Sequence, residues 1–260
     1  MSVQAAAGTT VPAIRPEAMS NPGLVWPLSL GALGWLVLAL GAQRAEPLAL
    51  CLGLDLPSMG RFRTNFDAML FYADPLAISV EWMAMVAGMM LPLAAVGFGR
   101  LVMRAHRLQR ACLLVAALLG YVAIWALLGP VVILAIFAVR AWAATAPETI
   151  WPNLAPFALA ILWTLSPLRR RLLIAAHRVP LLFGPPHTQS WDAVGYGLTL
   201  GRRCALVCLP IMAAPMISGL GVIAMLLTTH VLLAERLTHE PRAKPIRLAL
   251  ILLAGLTVIP

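Results

Sequence analysis

The sequence predicts an all-α polytopic membrane protein, a transmembrane helical bundle of six or seven helices with a cytoplasmic N-terminus. Of its 260 residues, 61% are hydrophobic and only 11% are charged, which excludes an ordinary soluble domain. Apolar stretches of about 20 residues recur along the chain, and each is long enough as a helix to cross the hydrocarbon core of a bilayer. Most basic residues lie in the short connections between these stretches.

The sequence divides into a tail, a series of apolar spans and one long outer loop. Residues 1–23 are polar, contain proline and lack apolar periodicity, so we expect a flexible N-terminal tail before a transmembrane helical domain at 24–260. Residues 44–78 are broken by Pro and Gly and are expected to form an outer loop. Because the last apolar run is short for a full crossing, the helix count is six or seven. The predicted spans are residues 24–42, 79–99, 111–139, 151–168, 194–217, 219–234 and 246–259.

The third predicted span contains Gly129 and Pro130 near its middle. Proline removes a backbone donor and crowds the preceding turn. We therefore expect this helix to kink or to end early.

The distribution of Lys and Arg determines the predicted orientation, because cytoplasmic connections are enriched in these residues. With the N-terminus inside, the basic connections near 100–110, 169–178 and 236–247 all lie on the cytoplasmic side. The formal charge of +9 therefore comes from basic residues that orient the chain in the lipid bilayer. Nucleic acid is not an expected partner. Lys244 is the only lysine among 19 cations. This is typical of a high-GC bacterium and places the chain in a bacterial inner membrane.

The second span carries a carboxylate and four methionines within about three helical turns. Glu81, Met85 and Met89 are four residues apart and follow one slowly winding face, with Met90 beside them. Thioethers are soft ligands that suit Cu(I), and an ionisable group within a span indicates a site, here at its outer mouth. The alternative is that these methionines only fill gaps in a packed core.

The fifth span carries a second stripe of sulfur, in which Cys204, Cys208, Met212 and Met216 are each four residues apart. Successive i+4 positions drift by about 40° around a helix, so neighbouring pairs can face one ion but all four cannot. A cysteine thiolate binds Cu(I) or Zn(II) and releases a proton on binding. The alternative is that the cysteines pack as small apolar residues.

The two stripes run in opposite directions, because the second span descends from the outer side and the fifth returns. If the two helices are neighbours, their sulfur groups form a path from the outer mouth to the middle of the membrane. Glu81 and Met85 then lie level with Met216 and Met212, and Met89 and Met90 approach Cys208 and Cys204.

Other motifs bear on assembly and on catalysis. Gly197 and Gly201 offer a small-xxx-small face for close helix packing. The sequence contains no Gly-rich phosphate loop, nucleophile elbow or H-E-x-x-H motif. We therefore do not expect an enzyme.

Several segments resemble one protein family. The segment WMAMVAGMMLP at 82–92 resembles the W-x2-M-x2-A-M-M-x-P signature of a bacterial family of predicted metal-binding integral membrane proteins, some of which are labelled copper chaperones. The segment LSPLRR at 165–170 is similar to its L-x-P-L-K/R-R segment. Residues 197–208, together with Met212 and the pair Glu235-Arg236, are similar to its cysteine-bearing helix and closing E-K pair.

The sequence also departs from the family pattern. The fifth helix of the family usually carries Cys-x2-Cys-Cys, whereas Cys204, Val207 and Cys208 stand here, so one thiol is missing. The sixth helix usually carries G-x-M-N-x3-M, and residues 219–225 keep only part of that pattern. These departures concern the expected site more than the expected fold.

The stripes and the resemblance together imply a membrane protein that binds a soft metal, Cu(I), for delivery to or from a periplasmic or membrane cuproprotein. The alternative is a non-catalytic structural or assembly subunit of a larger membrane complex, with no metal. A carrier of small organic solutes is a third possibility, but the internal repeats that it predicts are not evident. The expected metal site comprises Glu81, Met85, Met89, Met90, Cys204, Cys208 and Met212.

Overall fold

A computed structural model describes residues 22–42, 62–72, 74–145, 151–177, 189–218, 221–237 and 243–256. Within these ranges all regular structure is helical, so the predicted all-α fold is confirmed. A 3-10 turn at Arg107–Gln109 precedes the fourth α-helix. The α-helices are α1 (Pro22–Ala42), α2 (Phe62–Tyr72), α3 (Pro75–Arg104), α4 (Arg110–Ala143), α5 (Trp151–Leu165), α6 (Pro167–His177), α7 (Gln189–Ile217), α8 (Gly221–Leu237) and α9 (Ala243–Leu256).

Four helical segments are long and apolar enough to cross a membrane, and they correspond to α1, α3, α4 with its preceding turn, and α7. The predicted spans at 151–168, 219–234 and 246–259 correspond to α5, α8 and α9, which have 15, 17 and 14 residues. At about 1.5 Å per residue, such helices are shorter than the roughly 30 Å of hydrocarbon. The number of crossings and the cytoplasmic N-terminus therefore stay predictions.

The described part of the bundle is organised around two closely packed helix pairs. Helix α1 packs along α3, and α4 packs along α7. Helix α3 also contacts α4 and, over a short stretch, α7. The largest side chains buried between the helices include Trp125, Tyr121 and Phe98. The sulfur-bearing helices α3 and α7 thus belong to different pairs.

Close approach of α4 and α7 depends on glycine. A Cβ atom built on Gly197 would collide with the backbone oxygen of Ala117, and one on Gly120 would collide with the backbone oxygen of Val194. A Cβ on Gly201 would lie 3.1 Å from the backbone oxygen of Tyr121. The predicted packing face of Gly197 and Gly201 is therefore confirmed, with α4 as its partner.

Part of the expected outer loop is helical. Helix α2 buries Asn65 and Met69 and contacts α4, which gives this segment a packed face that composition did not indicate. Helix α3 begins at Pro75 because the carboxylate of Asp74 accepts a hydrogen bond from the backbone N–H of Leu76, 2.9 Å away. Of the expected tail at 1–23, residues 1–21 lie outside the described residues and residues 22 and 23 already belong to α1. Residues 43–61 also lie outside the described residues.

The fourth predicted span ends at Leu165 rather than at residue 168. Pro167 cannot continue the helix, and the hydroxyl of Ser166 accepts a hydrogen bond from the backbone N–H of Leu168 at 3.2 Å. The pair Ser166-Pro167 thus ends α5 and starts α6. In the third span, by contrast, α4 continues through Pro130 to Ala143. Of the two expected alternatives, the early end is therefore wrong, and the kink stays a prediction.

An ion pair is buried between α6 and α8. The guanidinium of Arg169 donates hydrogen bonds to both carboxylate oxygens of Glu235, at 3.1 and 2.6 Å. Both side chains are almost fully buried, at 3% and 1% exposure. A bidentate arrangement of this kind is among the strongest hydrogen-bonded contacts in proteins. This ion pair joins the LSPLRR segment at 165–170 to the glutamate of the pair Glu235-Arg236.

Candidate metal centre

The two sulfur-bearing helices meet at the centre of the bundle. The Sγ atom of Cys204 lies 3.8 Å from the Sδ atom of Met90. Nearer the other end of the contact, the hydroxyl of Tyr196 donates a hydrogen bond to the backbone oxygen of Gly97 at 2.9 Å. Higher residue numbers on α3 thus face lower numbers on α7, so the helices are antiparallel. The prediction that Met90 approaches Cys204 is confirmed.

A tyrosine from α4 completes this contact. The hydroxyl of Tyr121 donates a hydrogen bond to the backbone oxygen of Met90 at 3.1 Å and lies 3.4 Å from the Sγ atom of Cys204. Its side chain is fully buried. The ring packs edge-on against Phe98, with centroids 5.6 Å apart, and is tilted against Trp125 at 6.5 Å. The phenol is therefore held beside the thiol by packing on both sides.

The tryptophan of the 82–92 segment anchors α3 to α4. Its indole N–H donates a hydrogen bond to the backbone oxygen of Trp125 at 2.9 Å. Gly129 provides the space, because a Cβ there would lie 2.7 Å from Nε1 of Trp82. Trp82 thus fixes α3 against the same helix that presents Tyr121 to the sulfur pair.

The other residues of the expected site are distributed along α3 and α7. Glu81 is partly exposed and lies nine residues before Met90, about 14 Å along a helix axis. Met212 lies eight residues after Cys204, about 12 Å along the axis. Neither can share a coordination sphere with the 3.8 Å pair. Six sulfur-bearing residues of the expected site are buried, each with at most 4% exposure: Met85, Met89, Met90, Cys204, Cys208 and Met212.

Both atoms of the pair are soft sulfur donors. Metal–sulfur bonds are about 2.3 Å long for zinc thiolates, and with bonds of that length two sulfurs 3.8 Å apart would subtend about 110° at an ion between them. This angle fits an ion that has at least one ligand besides the two sulfurs. In the described part of the chain, no group of three or more His, Cys, Asp or Glu side chains has the arrangement of a metal site.

Sequence reasoning missed Tyr121. A tyrosine in an apolar span needs a hydrogen-bond partner for its hydroxyl, since that group has no water to bind there. The sequence therefore indicates that Tyr121 has a hydrogen-bond partner, but it does not indicate which residue of another helix that partner is. In the same way, the sequence does not indicate that Arg169 pairs with Glu235.

The chain matches the model of a known protein family. The family model PpoB2, described as "Copper chaperone", matches residues 79–258. The matched region begins two residues before Glu81 and includes α7 and all but the first four residues of α3. No curated protein and no solved structure matches the chain.

Proposed function

We propose, since the chain belongs to the copper chaperone family, that it binds Cu(I) within a bacterial inner membrane. It would deliver the ion to, or accept it from, a periplasmic or membrane cuproprotein. The observation that carries this proposal is the buried contact between the Cys204 thiol and the Met90 thioether at 3.8 Å. Four helical segments long and apolar enough to cross a membrane support the location.

The charge balance of the pair favours a monovalent soft ion. When Cys204 loses its proton, its thiolate and one Cu(I) ion together carry no net charge, and the Met90 thioether is neutral. A divalent ion at the same two ligands would leave a net positive charge in a buried position, which is strongly unfavourable. Soft thiolate and thioether ligands also suit Cu(I) better than hard cations.

Tyr121 positions the thiolate in this proposal. Its hydroxyl lies within reach of both the backbone oxygen of Met90 and the sulfur, at 3.1 and 3.4 Å. When Cys204 is a thiolate, the single hydroxyl proton turns to the sulfur and stabilises its negative charge. A hydrogen bond to a metal ligand also fixes the orientation of that ligand. The proton released by Cys204 makes copper binding weaker at low pH.

The remaining sulfur groups supply alternative ligands along the two helices. Met85 and Met89 precede Met90 on α3, and Cys208 and Met212 follow Cys204 on α7; all four are buried. Because two or three soft donors suffice for Cu(I), an ion can exchange between neighbouring groups without leaving the bundle. Glu81, partly exposed nearer the start of α3, would admit the cation.

The test is elemental analysis of the detergent-purified full chain after loading with Cu(I) under reducing conditions. We expect about one copper per chain for the wild type, and clearly less in Cys204→Ser and Met90→Leu, since neighbouring sulfur groups replace either ligand only in part. Matched controls make the same chemical changes at exposed positions of α4 and α3, Cys112→Ser and Met103→Leu. These controls should keep their copper.

If the wild type binds copper and both site variants keep all of it, the site lies elsewhere and the assignment is refuted. A folded wild type that takes up no copper would refute the function itself. Stoichiometric copurification of another membrane complex in that case would favour the structural or assembly role. Circular dichroism of each variant separates loss of a ligand from loss of the fold.

A further inference from the structure

A groove between α6 and α7 carries two arginines. It has a volume of about 410 Å³ and is lined by Arg171, Ile174, Ala175 and Arg203. These four lining residues include no acidic side chain. A second groove of about 410 Å³, between α1 and α3, has no charged residue among those that line it. The first groove therefore combines positive charge with an apolar wall.

One of its two guanidinium groups is held in place by the protein. Arg203 donates a hydrogen bond to the backbone oxygen of Ala175, which also ties the end of α6 to α7. A guanidinium has five N–H donors in a planar fork, so this bond leaves further donors for a ligand. Arg171 lies one turn before Ala175 on α6, is exposed and lines the same groove.

Among the residues that the structure describes, the acidic side chains of α7 and α8 are engaged or far along the helix. Glu235 of α8 forms its bidentate pair with Arg169, two residues before Arg171. Asp192, at the start of α7, lies eleven residues before Arg203, about 16 Å along the helix. The groove thus keeps a positive charge that an anion can neutralise.

Helix α6 has the character of a helix that lies at a membrane surface. Its 11 residues are too few to cross a bilayer, and they combine two exposed arginines, Arg170 and Arg171, with an apolar face. Leu173 is buried in the bundle, while Ile174 and Leu168 are about half exposed. Short basic amphipathic helices of this kind bind anionic lipid surfaces.

We propose that this groove binds the phosphodiester headgroup of an anionic phospholipid. Arg171 and Arg203 contact the phosphate oxygens, and Ile174 lies against the glycerol and the first part of an acyl chain. The site is separate from the sulfur pair. It relies on the membrane location but not on copper binding.

The experiment titrates the full chain in detergent with dioctanoyl-phosphatidylglycerol and follows bound lipid by native mass spectrometry. Dioctanoyl-phosphatidylcholine, which has no net charge, and inorganic phosphate form the comparison arms. Arg171→Gln is the first variant, because this exposed side chain can change without loss of the α6–α7 bond. Arg203→Gln is the second, and Arg107→Gln in the exposed turn before α4 is the matched control.

We expect phosphatidylglycerol to bind more tightly than phosphatidylcholine, with about a fivefold loss of affinity in each groove variant. The control variant should bind like the wild type. Equal binding of the two lipids, or an equal loss in Arg107→Gln, would overturn the proposal, because either result indicates general attraction. Inorganic phosphate that competes at the same concentration as the lipid would overturn the lipid assignment. None of these outcomes depends on whether copper binds.

Discussion

Replacing Tyr121 by Phe removes one oxygen atom from the centre of the sulfur site. The ring is kept, so its contacts with Phe98 and Trp125 are retained. The change deletes the hydroxyl that lies 3.1 Å from the backbone oxygen of Met90 and 3.4 Å from the Sγ atom of Cys204. The variant therefore separates the hydrogen-bonding role of Tyr121 from its role in packing.

The structure allows the size of the effect to be worked out. A hydrogen bond to a charged acceptor contributes about 1.5–3 kcal/mol, and about 1.4 kcal/mol corresponds to a factor of ten in affinity. If Cys204 binds copper as a thiolate, this contribution is lost in the copper-bound state and only about 1 kcal/mol is lost in the copper-free state. Tyr121→Phe should therefore weaken Cu(I) binding by the difference, roughly 2- to 30-fold. The free energy of unfolding without copper should fall by only about 1 kcal/mol, since in that state the variant loses only a hydrogen bond to a neutral acceptor.

The assay is competition for Cu(I) between the full chain and a chromophoric Cu(I) chelator at fixed pH. Tyr196→Phe is the matched control, because that tyrosine is also buried between α3 and α7 but donates to the backbone oxygen of Gly97. The control should bind copper within about twofold of wild type, since it loses only a neutral hydrogen bond. Wild-type affinity in Tyr121→Phe, or equal losses in both variants, would refute the proposed role of Tyr121.

Two further predictions concern stability. Arg169→Ala or Glu235→Ala alone leaves one buried charge without its partner and should lower the free energy of unfolding by about 3–5 kcal/mol. Arg169→Leu with Glu235→Leu should be less destabilised than either single variant in thermal unfolding, and a double variant as unstable as the singles combined would contradict this. Gly197→Ala places a methyl group against the backbone of α4 and should lower both Tm and copper occupancy. Gly195→Ala, with open space around it, should change neither, so equal behaviour of the two would refute the packing argument.

Much of the fold follows from composition and periodicity. Each of the seven predicted spans corresponds to an apolar helix, because a long apolar run in a membrane must satisfy its backbone hydrogen bonds internally. The short helices α2 and α6 were not predicted. Their sequences mix charged and apolar residues, and what stabilises them is packing against distant helices, through Met69 in α2 and through Leu173 and Arg169 in α6.

The candidate site was predictable only in part. Spacing by four identified the sulfur stripes on two helices, and the opposite direction of those helices gave the correct register for Met90 and Cys204. Their adjacency depends on contacts far apart in the sequence, above all the approach of α4 to α7 at Gly197. Tyr121 has no spacing relation to either stripe, so its hydroxyl was found only from the structure.

The position of the sulfur contact within the bundle has a physical consequence. Met90 belongs to the pair of α1 and α3, and Cys204 belongs to the pair of α4 and α7. The two pairs are each closely packed, whereas α3 and α7 touch over a short stretch. Tyr121 and Trp82 connect the pairs through hydrogen bonds to backbone oxygens of Met90 and Trp125. A change that weakens the contacts between the two pairs therefore alters the distance between the sulfurs before it unfolds the helices, because no single pair contains both atoms.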